Sequence, residues 1–201
     1  MELVVSHTND YGFDIPYILQ KPSHHLPGLS VVIPFYEGAY LALVLRYLYR
    51  GLGYIRRIYN DWQFEVIVID DGSKQKASNS VTGCSYENLS FIVFEENQGR
   101  TEARNAGLRK AKFEKVLFLD ADVLVSEGLI LDHLKVHAFS HSKKFVTVGF
   151  FAFIEEEDEL LSQSVVDDQD IKSRLNDFRL SCVYQSTWIG CKKDKKFVGK
   201  K

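Results

Sequence analysis

Apolar residues in this chain form short continuous runs, and the segments between the runs carry apolar residues at helical spacing. The runs predict five strands, at residues 29–34, 64–69, 89–94, 115–119 and 144–154. The intervening segments predict three helices, at residues 37–53, 99–111 and 127–139. Strands that are apolar throughout and alternate with helices are typical of a mostly parallel sheet covered by helices on both faces. The predicted fold class is therefore α/β, with a mostly parallel central sheet flanked by helices.

The two ends of the chain differ from this alternating region. Three prolines are spaced through residues 1–28, which predicts an extended N-terminal arm. We expect the α/β domain to occupy residues 29–181 and a basic tail to occupy residues 182–201. Six lysines lie among the last ten residues, so the tail could contact an anionic membrane surface as well as being a solvated end.

Polar side chains follow three of the predicted strands at the point where each strand ends. They are Tyr36 and Glu37 after the first strand, Asp70 and Asp71 after the second, and Asp120 and Asp122 after the fourth. The carboxyl ends of parallel strands meet at one edge of a sheet, and ligands bind beyond that edge. We therefore expect these side chains to lie at one edge of the sheet.

Asp120 and Asp122 are two like charges one residue apart at the end of a buried strand. Because such charges repel, something must hold them together. A divalent cation is the usual agent, and oxygen ligands suit magnesium or manganese. The alternative is that Asp122 caps a following turn or helix, but this leaves Asp120 unexplained.

Further candidates for ligand contacts come from the second strand end and the following helix. Asp71 could accept a hydrogen bond from a nucleobase or a ribose hydroxyl, whereas Asp70 could equally satisfy backbone N–H groups of its own turn. Gly99 permits a tight entry into the helix, whose N-terminus favours anions. Arg100 or Arg104 could reach a base or a phosphate from there, although Arg100 could also be a solvated helix arginine.

Composition narrows the class of protein. With 201 residues, 45% of them hydrophobic and 26% charged, the chain is typical of one globular domain. A net charge of −2 argues against binding nucleic acid through bulk electrostatics. The three cysteines show no metal-like spacing, and no secretory signal is visible, so we expect a reducing, cytoplasmic location.

Three histidines recur at every fourth residue near the end of the third predicted helix. They are His133, His137 and His141. The first two could share a metal ion from adjacent helical turns. No third ligand is obvious, so a solvated or half-packed helix face is the favoured interpretation.

Four segments together resemble the family 2 glycosyltransferases, an inverting group with the GT-A fold. The segments are SVVIPFYE (30–37), VIVIDDGS (66–73), ENQGRTEARNAGLRKA (96–111) and VLFLDADV (116–123). They occur in the family's order and cover residues 29–125. The ordered set is far more specific than the Asp-x-Asp motif alone.

This resemblance implies a role for each candidate residue. The loop of Pro34, Tyr36 and Glu37, together with Asp71, would contact the nucleobase and ribose of a nucleoside diphosphate sugar, with Tyr36 against a uracil. Arg100 or Arg104 would help to hold the nucleotide. Asp120 would bind the ribose or the metal, and Asp122 would ligate a Mn²⁺ or Mg²⁺ ion that bridges the diphosphate.

The resemblance is incomplete at the residue that would activate the acceptor. An inverting transferase needs a carboxylate base. In the family this base lies downstream of the Asp-x-Asp motif, beside a Gly-rich aromatic segment that the chain does not show before Lys201. We therefore expect the chain to be the donor-binding part, with the base beyond Lys201 and a glycan, lipid or protein acceptor. A nucleotide-sugar-binding module without turnover is the alternative; a phospho-receiver domain and a dehalogenase-like phosphatase place their acidic motifs in another order.

Overall fold

A computed structural model describes residues 4–5, 11–12, 26–139, 146–148 and 187–191. Near the N-terminus, β1 (Val4–Val5) and β2 (Tyr11–Gly12) form a separate antiparallel pair. The main sheet contains four parallel strands, β3 (Leu29–Phe35), β4 (Phe64–Asp70), β5 (Leu89–Val93) and β6 (Lys115–Leu119). Two further strands extend the sheet: β8 (Thr187–Cys191) pairs antiparallel with β6, and β7 (Thr147–Val148) pairs antiparallel with β8. The helices are α1 (Leu41–Ile58), α2 (Arg100–Lys110) and α3 (Leu129–Phe139), with a 3₁₀ helix at Ala77–Val81. The predicted α/β fold class, a parallel sheet flanked by helices, is confirmed.

The strand order places a reversal in the middle of the sheet. The order is β5-β4-β3-β6-β8-β7, so the chain proceeds from β3 to β5 in one direction and then returns to the other side of β3 with β6. A reversal of this kind separates the loops that follow the two strands on either side of it. The crevice between the carboxyl ends of β3 and β6 is therefore the expected ligand-binding position.

Two elements differ from the sequence prediction. Helix α1 begins at Leu41 rather than at residue 37, because Glu37 has a positive φ of 51°, which no helical residue adopts. The helix continues to Ile58 because Ile55, which lies beyond the predicted end at residue 53, is fully buried.

The second difference lies at the edge of the sheet that β7 and β8 form. Within the predicted strand 144–154 the described strand residues are Thr147–Val148, and they pair with β8. Strand β8 pairs in turn with β6, so residues that the sequence assigned to the basic tail extend the sheet. Residues 149–186 and 192–201, which include most of the predicted tail, lie outside the described residues. Most of the predicted arm, residues 1–28, lies outside them as well.

The sheet buries different side chains on its two faces. One face packs against α1, α3 and the 3₁₀ helix through Val31, Ile33, Val66, Val68, Leu117 and Leu119. The opposite face packs Val32, Ile67, Ile69, Val116 and Phe118 against the small residues of α2. The alternation along each strand follows from the two-residue repeat of strand side chains.

Helix α2 packs unusually close to the sheet at Gly107. A Cβ atom placed on Gly107 would lie 2.3 Å from Cγ1 of Val32 and 2.8 Å from Cδ1 of Ile69. The neighbouring contacts are made by the buried methyl groups of Ala103 and Ala106. The absence of a side chain at residue 107 therefore sets the distance between α2 and the sheet.

We predict that Gly107→Ala lowers the free energy of unfolding by about 1–3 kcal/mol, because the added methyl group forces buried β-branched side chains or the helix to move. Gly53→Ala is the matched control in α1: a Cβ atom there meets nothing within 4 Å. That control should raise stability by about 0.5–1 kcal/mol, since alanine favours the helix. Denaturant unfolding of both variants measures the difference, and equal effects would contradict this account of α2.

Candidate functional site

The polar residues after β3, β4 and β6 are brought to the same edge of the sheet. Phe35 pairs with Asp70 in the parallel register, and the N–H of Asp71 donates to the carbonyl of Phe35 at 2.9 Å. On the other side of β3, Val32 pairs with Phe118, so Asp120 follows the end of β6 at this edge. The three strand ends thus surround the crevice where the strand order reverses.

Asp70 is a structural carboxylate. It is fully buried, its Oδ1 accepts from the N–H of Ser73 at 2.9 Å, and its Oδ2 accepts from the N–H of Ala77 at 2.8 Å. These bonds close the turn after β4 and hold the start of the 3₁₀ helix. The turn interpretation raised for this residue describes what the structure shows.

Asp71 links the end of β4 to the entry of α2. Its Oδ1 accepts from the N–H of Gln98 at 2.7 Å, and its Oδ2 accepts from the N–H of Gly99 at 2.9 Å. The side chain is only 3% exposed, so most of the carboxylate is closed off from solvent. This carboxylate already supplies the negative charge that the N-terminus of α2 favours, so that helix end is engaged within the protein.

The turn after Asp71 needs a glycine. Gly72 has a φ of 75°, and a Cβ atom there would lie 2.4 Å from the carbonyl carbon of Glu96 and 2.6 Å from the nitrogen of Asn97. The turn and the loop before α2 therefore touch backbone to backbone. This close approach allows Asp71 to reach both N–H groups.

The loop after β3 combines an exposed aromatic ring with a strained residue. Tyr36 is 53% exposed, and Pro34 lies within β3 beside Ile69. Glu37, at its positive φ, donates its N–H to Oγ of Ser73 at 3.2 Å, and its Oε1 accepts from the N–H of Lys74 at 2.8 Å. Glu37 therefore ties the ends of β3 and β4 together and leaves the Tyr36 ring facing solvent.

Asp120 is paired with an arginine of the site itself. Nη2 of Arg104 lies 2.6 Å from Oδ1 of Asp120, and the two side chains are 22% and 21% exposed. Nε of Arg104 is buried and has no hydrogen-bond partner among the residues that the structure describes. The sequence identified both residues as candidates but gave no signal that they contact each other.

Asp122 and Arg100 differ from this pair because both are exposed. No hydrogen bond or ion pair engages the Asp122 carboxylate within the described part of the chain. Residues 26–139 and the shorter described segments contain no group of three or more His, Cys, Asp or Glu residues that could hold a metal ion. One free carboxylate with a diphosphate and water still forms an oxygen ligand set that fits Mg²⁺ or Mn²⁺.

Sequence comparison places this chain among known proteins. The family model described as Glycosyl transferase family 2 matches residues 30–193. The chain belongs to this family. The match includes all of the strand ends described above and extends through β8.

Individual relatives cover only part of each protein. An uncharacterized glycosyltransferase of Bacillus subtilis (strain 168), YfnE, is 31% identical over 123 residues, which are 61% of this chain and 29% of that protein. Validoxylamine A glucosyltransferase of Streptomyces hygroscopicus subsp. jinggangensis (strain 5008) is 40% identical over 119 residues, or 57% and 26%. The crystal structure of S. aureus TarS 1-349 in complex with UDP-GlcNAc is 27% identical, with a TM-score of 0.47, and covers 58% of this chain and 33% of that one. This chain thus spans about a quarter to a third of the length of these relatives.

Two of the three spaced histidines in this family 2 chain are buried against β7. Nδ1 of His133 lies 2.8 Å from Oγ1 of Thr147, and Nε2 of His137 lies 3.3 Å from the same oxygen. These contacts hold α3 against β7, so neither histidine lies on a solvated helix face. His141 lies outside the described residues.

We predict that His133 makes stability depend on pH below neutrality. Burial lowers its pKa to about 4, whereas an unfolded histidine titrates near about 6.5. Between these values the unfolded state binds more protons, so the free energy of unfolding falls as the pH falls. In His133→Gln, proton uptake on unfolding within this window should decrease by up to about one proton. Denaturant unfolding at several pH values measures the slope, and an unchanged slope would contradict the buried neutral imidazole.

Proposed function

We propose that this chain forms the donor-binding part of an inverting, metal-assisted glycosyltransferase. The donor would be a nucleoside diphosphate sugar, with UDP favoured by the resemblance, and the group transferred would be a hexosyl unit. The observation that carries the proposal is the crevice where the strand order reverses. There, an exposed tyrosine, an exposed aspartate and an aspartate paired with arginine meet at one edge of the sheet.

Each residue supports a separate part of donor binding. The exposed ring of Tyr36 offers a flat surface for a uracil, in a loop whose shape Pro34 and Glu37 fix. Asp71 has already accepted one hydrogen bond on each oxygen, and the second lone pair of either oxygen could accept from a nucleobase imide. The exposed guanidinium of Arg100, at the start of α2, is available to a phosphate.

The metal would be held at the end of β6. Asp122 would supply a free carboxylate there, while the oxygen of Asp120 that Arg104 does not engage could bind the ion or accept from a hydroxyl of the donor. When bound, Mn²⁺ or Mg²⁺ would offset the charge that develops on the departing nucleoside diphosphate. The acceptor hydroxyl would be deprotonated by a carboxylate base, which the family resemblance assigns to none of the residues named here. We propose a cytoplasmic location, either in solution or at the cytoplasmic face of a membrane. Among the described residues, no helix has the length and apolar character that a membrane span requires.

We predict that UDP binds only with a divalent ion and that Asp122→Asn lowers this metal-dependent affinity by about 10- to 100-fold. The amide keeps the shape of the side chain but removes the charge that the cation needs. Titration calorimetry with UDP, with Mn²⁺ and after chelation, measures both effects. Asp70→Asn is the control: it breaks a buried hydrogen bond, so it should cost about 1–3 kcal/mol of stability while UDP affinity is retained. The reverse pattern would contradict the assignment of Asp122 and Asp70.

A module that binds nucleotide sugars without turnover is the second candidate, because the described residues supply donor contacts while the acceptor base is expected elsewhere. We predict that the 201-residue chain hydrolyses a UDP-sugar slowly and transfers it poorly, since a bound ion assists departure of UDP without any acceptor. Release of UDP with and without added acceptor measures this, with Asp122→Asn as the inactive control. Efficient transfer by this chain would place a base within its own residues, and no release at all would favour the binding module.

A further inference from the structure

Helix α2 and the loop before it hold carboxylates on both sides of the central strand β3. At one end, the N–H groups of Gln98 and Gly99 bind the Asp71 carboxylate, which follows β4. One turn into the helix, Arg104 binds Asp120, which follows β6. Segment 98–104 therefore bridges the ends of β4 and β6, on either side of β3, and its position decides where both carboxylates point.

The close packing of α2 against the sheet makes segment 98–104 rigid. Gly107 brings the helix axis close to Val32 and Ile69, and the buried Ala103 lies directly before Arg104 in the chain. The Arg104 side chain is mostly covered, which weakens solvent screening of its ion pair compared with an exposed pair. The guanidinium thus has little freedom to turn from Asp120 toward another anion.

The charges at the end of β6 then have an uneven distribution. Asp120 and Asp122 carry two negative charges, and Arg104 compensates one of them through Oδ1 of Asp120. Asp122 is exposed and has no such partner in the described residues. A cation approaching this edge therefore meets one compensated carboxylate and one free carboxylate.

We propose that Arg104 is a positioning residue that holds Asp120 out of the coordination of the metal, so that Asp122 is the carboxylate of the pair that ligates it. Oδ2 of Asp120 is then left to accept from a hydroxyl of the donor. This inference rests on the proposed donor site and assigns different tasks to its two carboxylates. It also gives Arg104 a task other than direct phosphate binding, since its Nη2 is already committed to Asp120.

Binding of Mn²⁺ alone, without nucleotide, tests this role directly. In Arg104→Gln, Asp120 loses its counter-charge and becomes a second free carboxylate. Affinity for Mn²⁺ alone should then rise by about tenfold, the effect of one unit charge a few ångströms away near a protein surface. Affinity for UDP with saturating Mn²⁺ should fall by about 10-fold or more, because Asp120 is no longer held in place. An arginine that only bound phosphate would lower UDP affinity without raising the affinity for Mn²⁺ alone.

The control for Arg104→Gln is Arg109→Gln on the same helix. Arg109 forms an exposed ion pair with Glu102, so its replacement removes the same charge away from the pair at the end of β6. Affinity for Mn²⁺ alone should stay within about twofold of wild type in this control, because exposed charges at a distance are screened. In Arg104→Gln combined with Asp120→Asn, the affinity should return toward that of wild type, since the freed carboxylate is gone.

A second comparison leaves Arg104 unchanged, so it remains informative even if the Arg104 variants fail to fold. Asp120→Asn and Asp122→Asn remove the same charge from the same edge. If Asp122 alone ligates the ion, Asp122→Asn should lower the affinity for Mn²⁺ alone by about tenfold more than Asp120→Asn does. Circular dichroism and thermal melts of each variant verify that the compared chains are folded.

The outcomes separate this inference from the donor site on which it rests. Equal losses in Asp120→Asn and Asp122→Asn, or an unchanged Mn²⁺ affinity in folded Arg104→Gln, would overturn the role of Arg104 while the metal site stands. Absence of Mn²⁺ binding by the wild-type chain, alone and with UDP, would overturn the metal site and this inference together.

Discussion

Four aspartates lie at the ends of β4 and β6, the two strands on either side of β3, and each carboxylate must be stabilised at this edge of the sheet. Asp70 and Asp71 are buried and accept two backbone N–H groups each, and Asp120 takes an arginine. Asp122 remains in water. Because an ionised carboxylate removed from water needs hydrogen bonds or a counter-charge, these partners fix the loops around the crevice. The loops of the site are therefore held in place largely by the hydrogen bonds and the ion pair that its own carboxylates form.

Helix α2 is the element that makes these partners available. Its leading loop supplies N–H groups to Asp71, and its first turns supply Arg104 to Asp120. The helix can do both because it lies close to the sheet, where Gly107 leaves no side chain between it and Val32. Packing at the buried face of α2 is thereby coupled to the geometry of the charged edge about two turns away.

The strongest sequence patterns were those with a local cause. Apolar runs of strand length and helical spacing predicted the four parallel strands and the two-sided packing of the sheet, and the ordered motifs predicted the glycosyltransferase family. The start of α1 was misplaced because the positive φ of Glu37 depends on its bonds to Ser73 and Lys74, 36 and 37 residues away in the chain. Strand β8 was missed because a strand of only five residues carries little periodic signal.

By itself, the sequence determined which residue types stand at the strand ends, because each strand stops where its apolar run stops. It also determined that parallel strands would bring those residues to one edge. Only the tertiary structure decided which carboxylate is free and which is engaged. Asp71 and Asp122 look equally available in the sequence, yet one is buried against the entry of α2 and the other is exposed. The reason is that hydrogen bonds and ion pairs across 16 to 28 residues depend on the packing of a helix against a sheet, which no local pattern encodes.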